Sequence, residues 1–307
     1  MTNESSAALP APRQTVSYLQ QLFRERGIQP KNKLGQSFLI DLNLIDLIVR
    51  SAELTADDIA VEIGSGTGSL TARLINAAGA VLSVEIDPAF HALVSELLGY
   101  RERVVLMHCD VLKNKNQLQP RLLESLADLR DRTGCTQLKL VSNLPYAVAT
   151  PVIANFLLSD LPFERMVVTV QWEIAERLLA QPGTKDFGAL AVLVQSIADV
   201  ELVRRLGRSV FFPRPKVESA ILRIWPRIEK RAAVVGRVGD VLRWRHFLRD
   251  LYTQRRKNLR GAISGLPSGR RDKQEIDLKL AKLSIDSAVR AETLNVEQHM
   301  LLCEAFG

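Results

Sequence analysis

Between the apolar run IAVEIG (59 to 64) and the helical stretch SLTARLINAA (69 to 78) lies a glycine turn, Glu62-Ile-Gly64-Ser-Gly66-Thr-Gly68. A strand that passes through closely spaced glycines straight into a helix is the opening unit of an open α/β sheet, in which ligands bind beyond the carboxyl ends of the strands. The runs that follow keep the same alternation of β-rich and helical segments: AVLSVEID (80 to 87), RVVLMHCD (103 to 110), LKLVSNLP (138 to 145) and RMVVTVQ (165 to 171). Short continuous apolar runs of this kind predict buried parallel strands joined by crossover helices. Two further strands are expected at IADVELVRRL (197 to 206) and ESAILRIW (218 to 225), joined as a hairpin through the Pro-rich loop FFPRPK (211 to 216). The expected fold class is therefore α/β, a Rossmann-like sheet of seven strands.

Upstream, Val16, Leu19 and Phe23 repeat at helical spacing as far as Gly27, which predicts a short N-terminal helix. Residues 1 to 13 are small, polar and Pro-containing, and a disordered tail is expected there. After Pro226 the pattern turns helical and polar. Trp244, Phe247, Leu248, Leu251, Tyr252, Leu259 and Ile263 trace one face of a long helix that the break GLPSGR (265 to 270) ends. Ile276, Leu280 and Leu283 mark a second helix, and Asn295 with Gln298 resembles a capping box before a last one. A chain of 307 residues suits two domains, with boundaries expected at 14–227 for the sheet and 228–307 for a smaller helical domain.

Charge separates the two halves. Residues 228–307 hold 16 Lys/Arg against 10 Asp/Glu, so +6 of the net +7 lies there. Within 243–260, Arg243, Arg245, Arg249, Arg255, Arg256, Lys257 and Arg260 face a single acid, Asp250. A run of charge is usually a solvated face; here the apolar stripe opposite would present it as a rigid patch toward a polyanion, with Arg255, Arg256 and Lys257 expected on phosphates. No apolar run approaches the roughly 18 residues of a membrane span, and the N-terminus lacks the apolar centre of a secretion signal. A soluble, cytoplasmic protein without a membrane partner is expected. Cys109, Cys135 and Cys303 have no paired spacing and the four histidines are scattered, so neither a disulfide framework nor a metal site is expected.

The glycine turn lacks the third element of a dinucleotide fingerprint, because Ser69 stands where G-x-G-x-x-G needs glycine. Glu85 closes the second strand roughly 20 residues beyond Gly64, where a carboxylate commonly grips the ribose hydroxyls of an adenosine. Asp110, after the third strand, adds an acceptor for an adenine amino group, which favours S-adenosylmethionine over a nicotinamide cofactor. A glycine turn or a strand-end acid is often only structural, but the three in order point to a nucleotide-type pocket with Gly64, Gly66, Glu85 and Asp110 as contacts.

Strand four ends in Asn143-Leu144-Pro145-Tyr146. As a plain β-turn this tetrapeptide needs no chemistry. As a site it suits an exocyclic amine on a planar base. The lone pair of adenine N6 is delocalised into the ring, and hydrogen-bond acceptors that make the nitrogen more tetrahedral release it. The Asn143 side-chain oxygen and the Leu144 carbonyl can both accept; Pro145 holds Leu144 extended and has no N–H; Tyr146 offers a stacking face. Positioning and electrostatics would carry such a reaction.

With LGQSFL (34 to 39), EIGSGTG (62 to 68), VEID (84 to 87), Asp110, NLPY (143 to 146), FFPRPKVESA (211 to 220) and QRRKNLR (254 to 260), the chain resembles the rRNA adenine N6,N6-dimethyltransferase family over roughly residues 30–307. The resemblance implies a class I methyltransferase sheet and S-adenosyl-L-methionine as cofactor. It further implies dimethylation of two adjacent adenosines near the 3′ end of 16S rRNA, within the small ribosomal subunit or its precursor, by a monomer. It places cofactor contacts on Ser37, Leu39, Gly64, Glu85, Asp110 and Asn143, and sets Phe211 against the flipped base opposite Tyr146, with Phe212 as its rival. Ser37 stands where the family usually has Asn, and the stretch between Asp110 and strand four is long. The related 23S rRNA dimethyltransferases resemble N-I-P-Y at the tetrapeptide and lack Q-R-R-K-x-L-R, so Leu144 and QRRKNLR argue against that alternative. A non-catalytic assembly factor on the same fold would tolerate loss of groups that are all present here.

Overall fold

The computed structural model of the chain describes residues 14–269 and 271–307; the tail expected at 1–13 lies outside them. Seven strands form the central sheet: β1 (Asp58–Ile63), β2 (Ala80–Glu85), β3 (Val104–His108), β4 (Gln137–Asn143), β5 (Phe163–Gln171), β6 (Ala198–Leu206) and β7 (Ser219–Pro226). Their order is β3-β2-β1-β4-β5-β7-β6. The first five are mutually parallel, and β7 returns antiparallel to β5. All seven strands fall on the runs read as strands from the sequence. The reversal of order between β1 and β4 makes the crevice at their carboxyl ends the natural ligand site of an open sheet.

Strand β1 is buried along its whole length, as a strand covered by helices on both faces must be. Leu39, Leu44, Ile45, Ile48, Val81, Val141 and Ile221 form one apolar layer against it. A second cluster joins Leu19 and Phe23 of the N-terminal helix Val16–Glu25 to Phe38 and Phe90. The stretch between Asp110 and β4 folds as a short antiparallel pair, Leu112–Asn114 with Gln117–Leu118, followed by the helix Pro120–Thr133, which buries Leu122, Leu126 and Leu129.

The chain divides into two compact units. One runs to Trp172 and takes in Glu201–Ile224; the other holds Glu173–Val200 and Trp225–Gly307. A single cut at 228 therefore needs correction, because the helices Trp172–Leu179 and Ala189–Gln195 fall largely in the second unit. Fully buried Trp244 explains this: its indole N–H donates to Ser196 Oγ at 2.9 Å, and Phe187 packs edge-on to His299. A second correction concerns the long helix expected through 263. It stops at Thr253, and a separate helix Leu259–Ile263 begins at Asn258, whose side chain caps it by accepting from Gly261 N–H. An Asn able to take the N-cap favours restarting a helix over continuing one. The capping box at Asn295 and Gln298 is formed as expected.

Candidate functional site

A pocket opens at the carboxyl ends of β1, β2 and β4. The glycine turn forms one wall, Glu85 and Ile86 the end of β2, and Asn143, Leu144 and Pro145 the opposite side; the segment 34–39 closes over it. Two glycines are required here. Gly64 has φ +86°, and a Cβ on it would come within 2.9 Å of Pro145 Cγ. Gly66 has φ +52°, and a Cβ there would meet the Phe38 ring at 2.9 Å. Left-handed backbone without a side chain lets both flanking segments approach the loop.

Glu85 is buried, and each of its oxygens is held by the main chain. Oε2 accepts from Gly66 N–H at 3.0 Å and Oε1 from Asp87 N–H at 2.9 Å. Burial pushes its carboxyl above the ordinary range, against the pull of these two N–H groups. The carboxylate is thereby fixed in the pocket with lone pairs left for further donors. Asp87, two residues on, accepts from Gln36 Nε2 at 3.1 Å and Lys31 Nζ at 2.8 Å, which ties the covering segment to the end of β2. Although burial of its carboxyl opposes them, these donors hold the pKa of Asp87 below the usual carboxylate range.

On the other side, Asn143 Nδ2 donates to the Ser37 carbonyl at 3.0 Å. The bond fixes the plane of the amide. Asn143 Oδ1 is buried and has no hydrogen-bond partner, an uncompensated acceptor on a pocket-lining residue. Orphaned buried acceptors are costly and rare, and this one calls for a donor from a ligand. The Ser37 hydroxyl donates to the Pro213 carbonyl at 2.9 Å. Tyr146 is half-buried and its hydroxyl lies 2.7 Å from Ser219 Oγ; burial pushes the phenol up, while bonds to Ser219 and Ser37 pull it down.

Thus Ser37, Leu39, Gly64, Gly66, Glu85, Asn143, Leu144 and Pro145 line one pocket. Tyr146 follows directly in sequence. Asp110 stands apart: it is exposed, lies two residues past β3 and accepts from Leu112 N–H at 2.9 Å, outside the lining. Phe211 requires correction as a stacking residue. Its ring is 3% exposed, belongs to the core layer under the sheet, and pairs through the backbone with Leu39, so neither face is open to a base. Phe212 points into the other cluster, with its ring 6.3 Å from that of Phe23. A two-residue strand sends alternate side chains to opposite sides, and both sides here are packed.

Three members of the site carried no role in the sequence reading: Glu62, Gln36 and Asp87. Each stands inside a quoted motif, which was the available signal. Glu62 lines the pocket, is 1% exposed, and accepts on Oε2 from both Ser83 Oγ and Thr71 Oγ1 at 2.6 Å. Burial pushes it up to about 7, with the two hydroxyls opposing.

In the second unit, Arg255 pairs with Glu292 at 3.0 Å and also donates to the Lys185 carbonyl. Arg256 and Lys257 are exposed in the turn between the two helices and make no ion pair among the described residues. No helix among the described residues is long and apolar enough to cross a membrane, and no group of three or more potential metal ligands occurs among them.

Comparison with known proteins gives concordant results. The family profile described as "Ribosomal RNA adenine dimethylase" matches residues 27–306. Ribosomal RNA small subunit methyltransferase A of Geobacillus kaustophilus (strain HTA426) is 38% identical over 294 residues, covering 95% of this chain and 96% of that protein. The protein of the same name from Pelotomaculum thermopropionicum is 38% identical over 290 residues, covering 94% and 95%. Among solved structures, a dimethyladenosine transferase from Plasmodium falciparum superposes with a TM-score of 0.66 at 24% identity, over 86% of this chain and 95% of that one. The 23S rRNA methyltransferase ErmE superposes with a TM-score of 0.59 at 23% identity, over 88% and 99%. These two likenesses establish the fold.

Proposed function

The chain belongs to the ribosomal RNA adenine dimethylase family, and we propose on that premise that it dimethylates N6 of two adjacent adenosines near the 3′ end of 16S rRNA during small-subunit biogenesis. As a member of that family it is an S-adenosylmethionine-dependent methyltransferase. Relatives bearing the small-subunit name across nearly their whole length support that subunit as the substrate.

One observation carries the reading: the buried, partnerless Oδ1 belongs to Asn143, a residue that lines the same pocket as Glu85 and the glycine turn. The residues present fit the cofactor. Glu85 would take the ribose hydroxyls, the loop at Gly64 and Gly66 would admit the chain close to the adenosine, and Ser37 and Leu39 would cover it. When bound, the cofactor supplies an electrophilic methyl group on a sulfonium. The chain's own part is to present the nitrogen. Asn143 Oδ1 accepts one N6–H and the Leu144 carbonyl the other, which draws the lone pair out of the ring toward the methyl group. Pro145 keeps the carbonyl of Leu144 extended. The Tyr146 ring, pinned through its hydroxyl to Ser219, stacks on the base. No general base is required, since the proton can leave to water after transfer.

The sheet unit carries the transfer and the basic C-terminal unit holds rRNA through phosphates, with Arg256 and Lys257 as contacts. The enzyme acts as a monomer in the cytoplasm on 16S rRNA within the small subunit or its precursor. Incubation with labelled S-adenosylmethionine and small subunits from a strain lacking the enzyme, followed by mapping of the methylated nucleotides, tests this directly. Label confined to large-subunit rRNA, or none, would sink it.

A further inference from the structure

Gln14 is 2% exposed and lies against the glycine turn through Thr67. Its amide meets the Thr67 hydroxyl at both ends: Nε2 donates to Oγ1 at 3.0 Å, and Oγ1 donates to Oε1 at 3.1 Å. Thr67 sits between Gly66 and Gly68 and lines the pocket. Three residues with left-handed φ, Gly64, Gly66 and Gly68, make this loop intrinsically loose, because glycine loses most backbone entropy when ordered. Two polar groups grip it. Inside, Glu85 Oε2 accepts from Gly66 N–H; outside, Gln14 holds the very next side chain.

The N-terminal helix Val16–Glu25, which follows Gln14, secures that grip. Phe23 packs edge-on against Phe38 and Phe90 at 5.6 Å each, and Phe38 is the ring that a Cβ on Gly66 would strike. Arg26 forms a two-pronged pair with Glu96. The helix is thus anchored at its far end while Gln14 reaches the loop from its near end.

We propose that Gln14 is a positioning residue for the cofactor: by fixing Thr67 it holds the glycine turn in its binding conformation, so that cofactor affinity depends on a side chain that does not line the pocket. The inference rests on the functional reading above. It assigns no chemistry to Gln14, so the chemical step at saturating cofactor is unaffected.

The test is calorimetric titration of S-adenosylmethionine into wild type, Gln14→Ala, Thr67→Val and the double variant, with a melting curve of each unliganded protein. Loss of a buried hydrogen-bonded clamp should weaken cofactor affinity about 3- to 10-fold in each single variant. The double variant should be no weaker than either single one, because both break the same contact. In turnover assays of Gln14→Ala the KM for cofactor should rise by the same factor, with kcat and the KM for RNA unchanged. Unchanged affinity in Gln14→Ala with a lowered melting temperature, or additive losses in the double variant, would overturn the proposal. If either single variant fails to fold, the other supplies the affinity. A wild type that binds no cofactor would instead overturn the functional reading, so the two failures are distinct.

Discussion

Asn143 Nδ2 donates to the main-chain carbonyl of Ser37 at 3.0 Å, and this one bond decides which end of the Asn143 amide remains for a ligand. One N–H of the amide is taken and the acceptor is left buried and unpaired. Because the bond goes to the backbone, it does not depend on the side chain at position 37.

Asn143→Ala should therefore lower single-turnover methyl transfer by on the order of 10² to 10³, the usual cost of removing one preorganised group that strengthens in the transition state. Cofactor affinity should fall far less than the rate. A variant that transfers methyl groups at nearly the wild-type rate would remove Asn143 from the chemistry.

Glu85→Ala should weaken cofactor binding by about 10- to 150-fold, the equivalent of roughly 1.5 to 3 kcal/mol for hydrogen bonds to a charged acceptor. The same change frees Gly66 N–H and Asp87 N–H, so the melting temperature should drop as well. Calorimetry separates the two effects, and an unaltered Kd in a folded variant would take Glu85 out of the site.

Glu62 makes stability depend on pH in a direction opposite to that of most carboxylates. Its folded value of about 7 lies above the ordinary 4.5, so the folded chain binds this proton more tightly than the unfolded chain. The stability it contributes is complete below about 4.5 and is lost as pH rises through about 7. Glu62→Gln keeps an oxygen to accept from Ser83 and Thr71 but cannot ionise. Denaturant unfolding of the unliganded protein from pH 5 to 8 should show a decline that is smaller in Glu62→Gln than in wild type. Parallel curves would mean that Glu62 does not titrate in this window.

The strands were legible because each is a buried run of apolar residues between turn signals, as in IAVEIG and LKLVSNLP. The pairing of Phe38–Leu39 with Phe211–Phe212 was not, since two residues carry no period, and with it went the destination of the Phe211 ring. Glycine spacing and strand-end acids indicated the pocket, yet the ties that hold its cover, Asp87 to Gln36 and Gln14 to Thr67, join segments about 50 residues apart and leave no local pattern. The apolar stripe of the basic segment continues across a real break because Leu259 and Ile263 are buried as Leu248 and Leu251 are. Periodicity reports which residues face a core, and it does not report whether one helix or two deliver them.

That break changes what the basic cluster does. Arg255, Arg256 and Lys257 lie in the turn after Thr253 rather than along a helix face, and they are not equivalent. Arg255 is committed to Glu292 and the Lys185 carbonyl, within its own unit. Its replacement by Gln should lower the melting temperature of the protein and change RNA affinity little. Arg256 and Lys257, exposed and without an ion pair among the described residues, are available to a polyanion. Each phosphate neutralised releases counterions, so replacing both by Gln should reduce the log–log salt slope of small-subunit binding by up to about 2. Melting temperature and cofactor affinity should stay near wild-type values, because neither side chain makes a hydrogen bond or ion pair among the described residues and neither lines the pocket. Filter binding over a range of potassium concentrations gives the slope directly. A slope unchanged in the double variant but reduced in Arg255→Gln would reverse the assignment, with the ion pair to Glu292 opening to reach RNA.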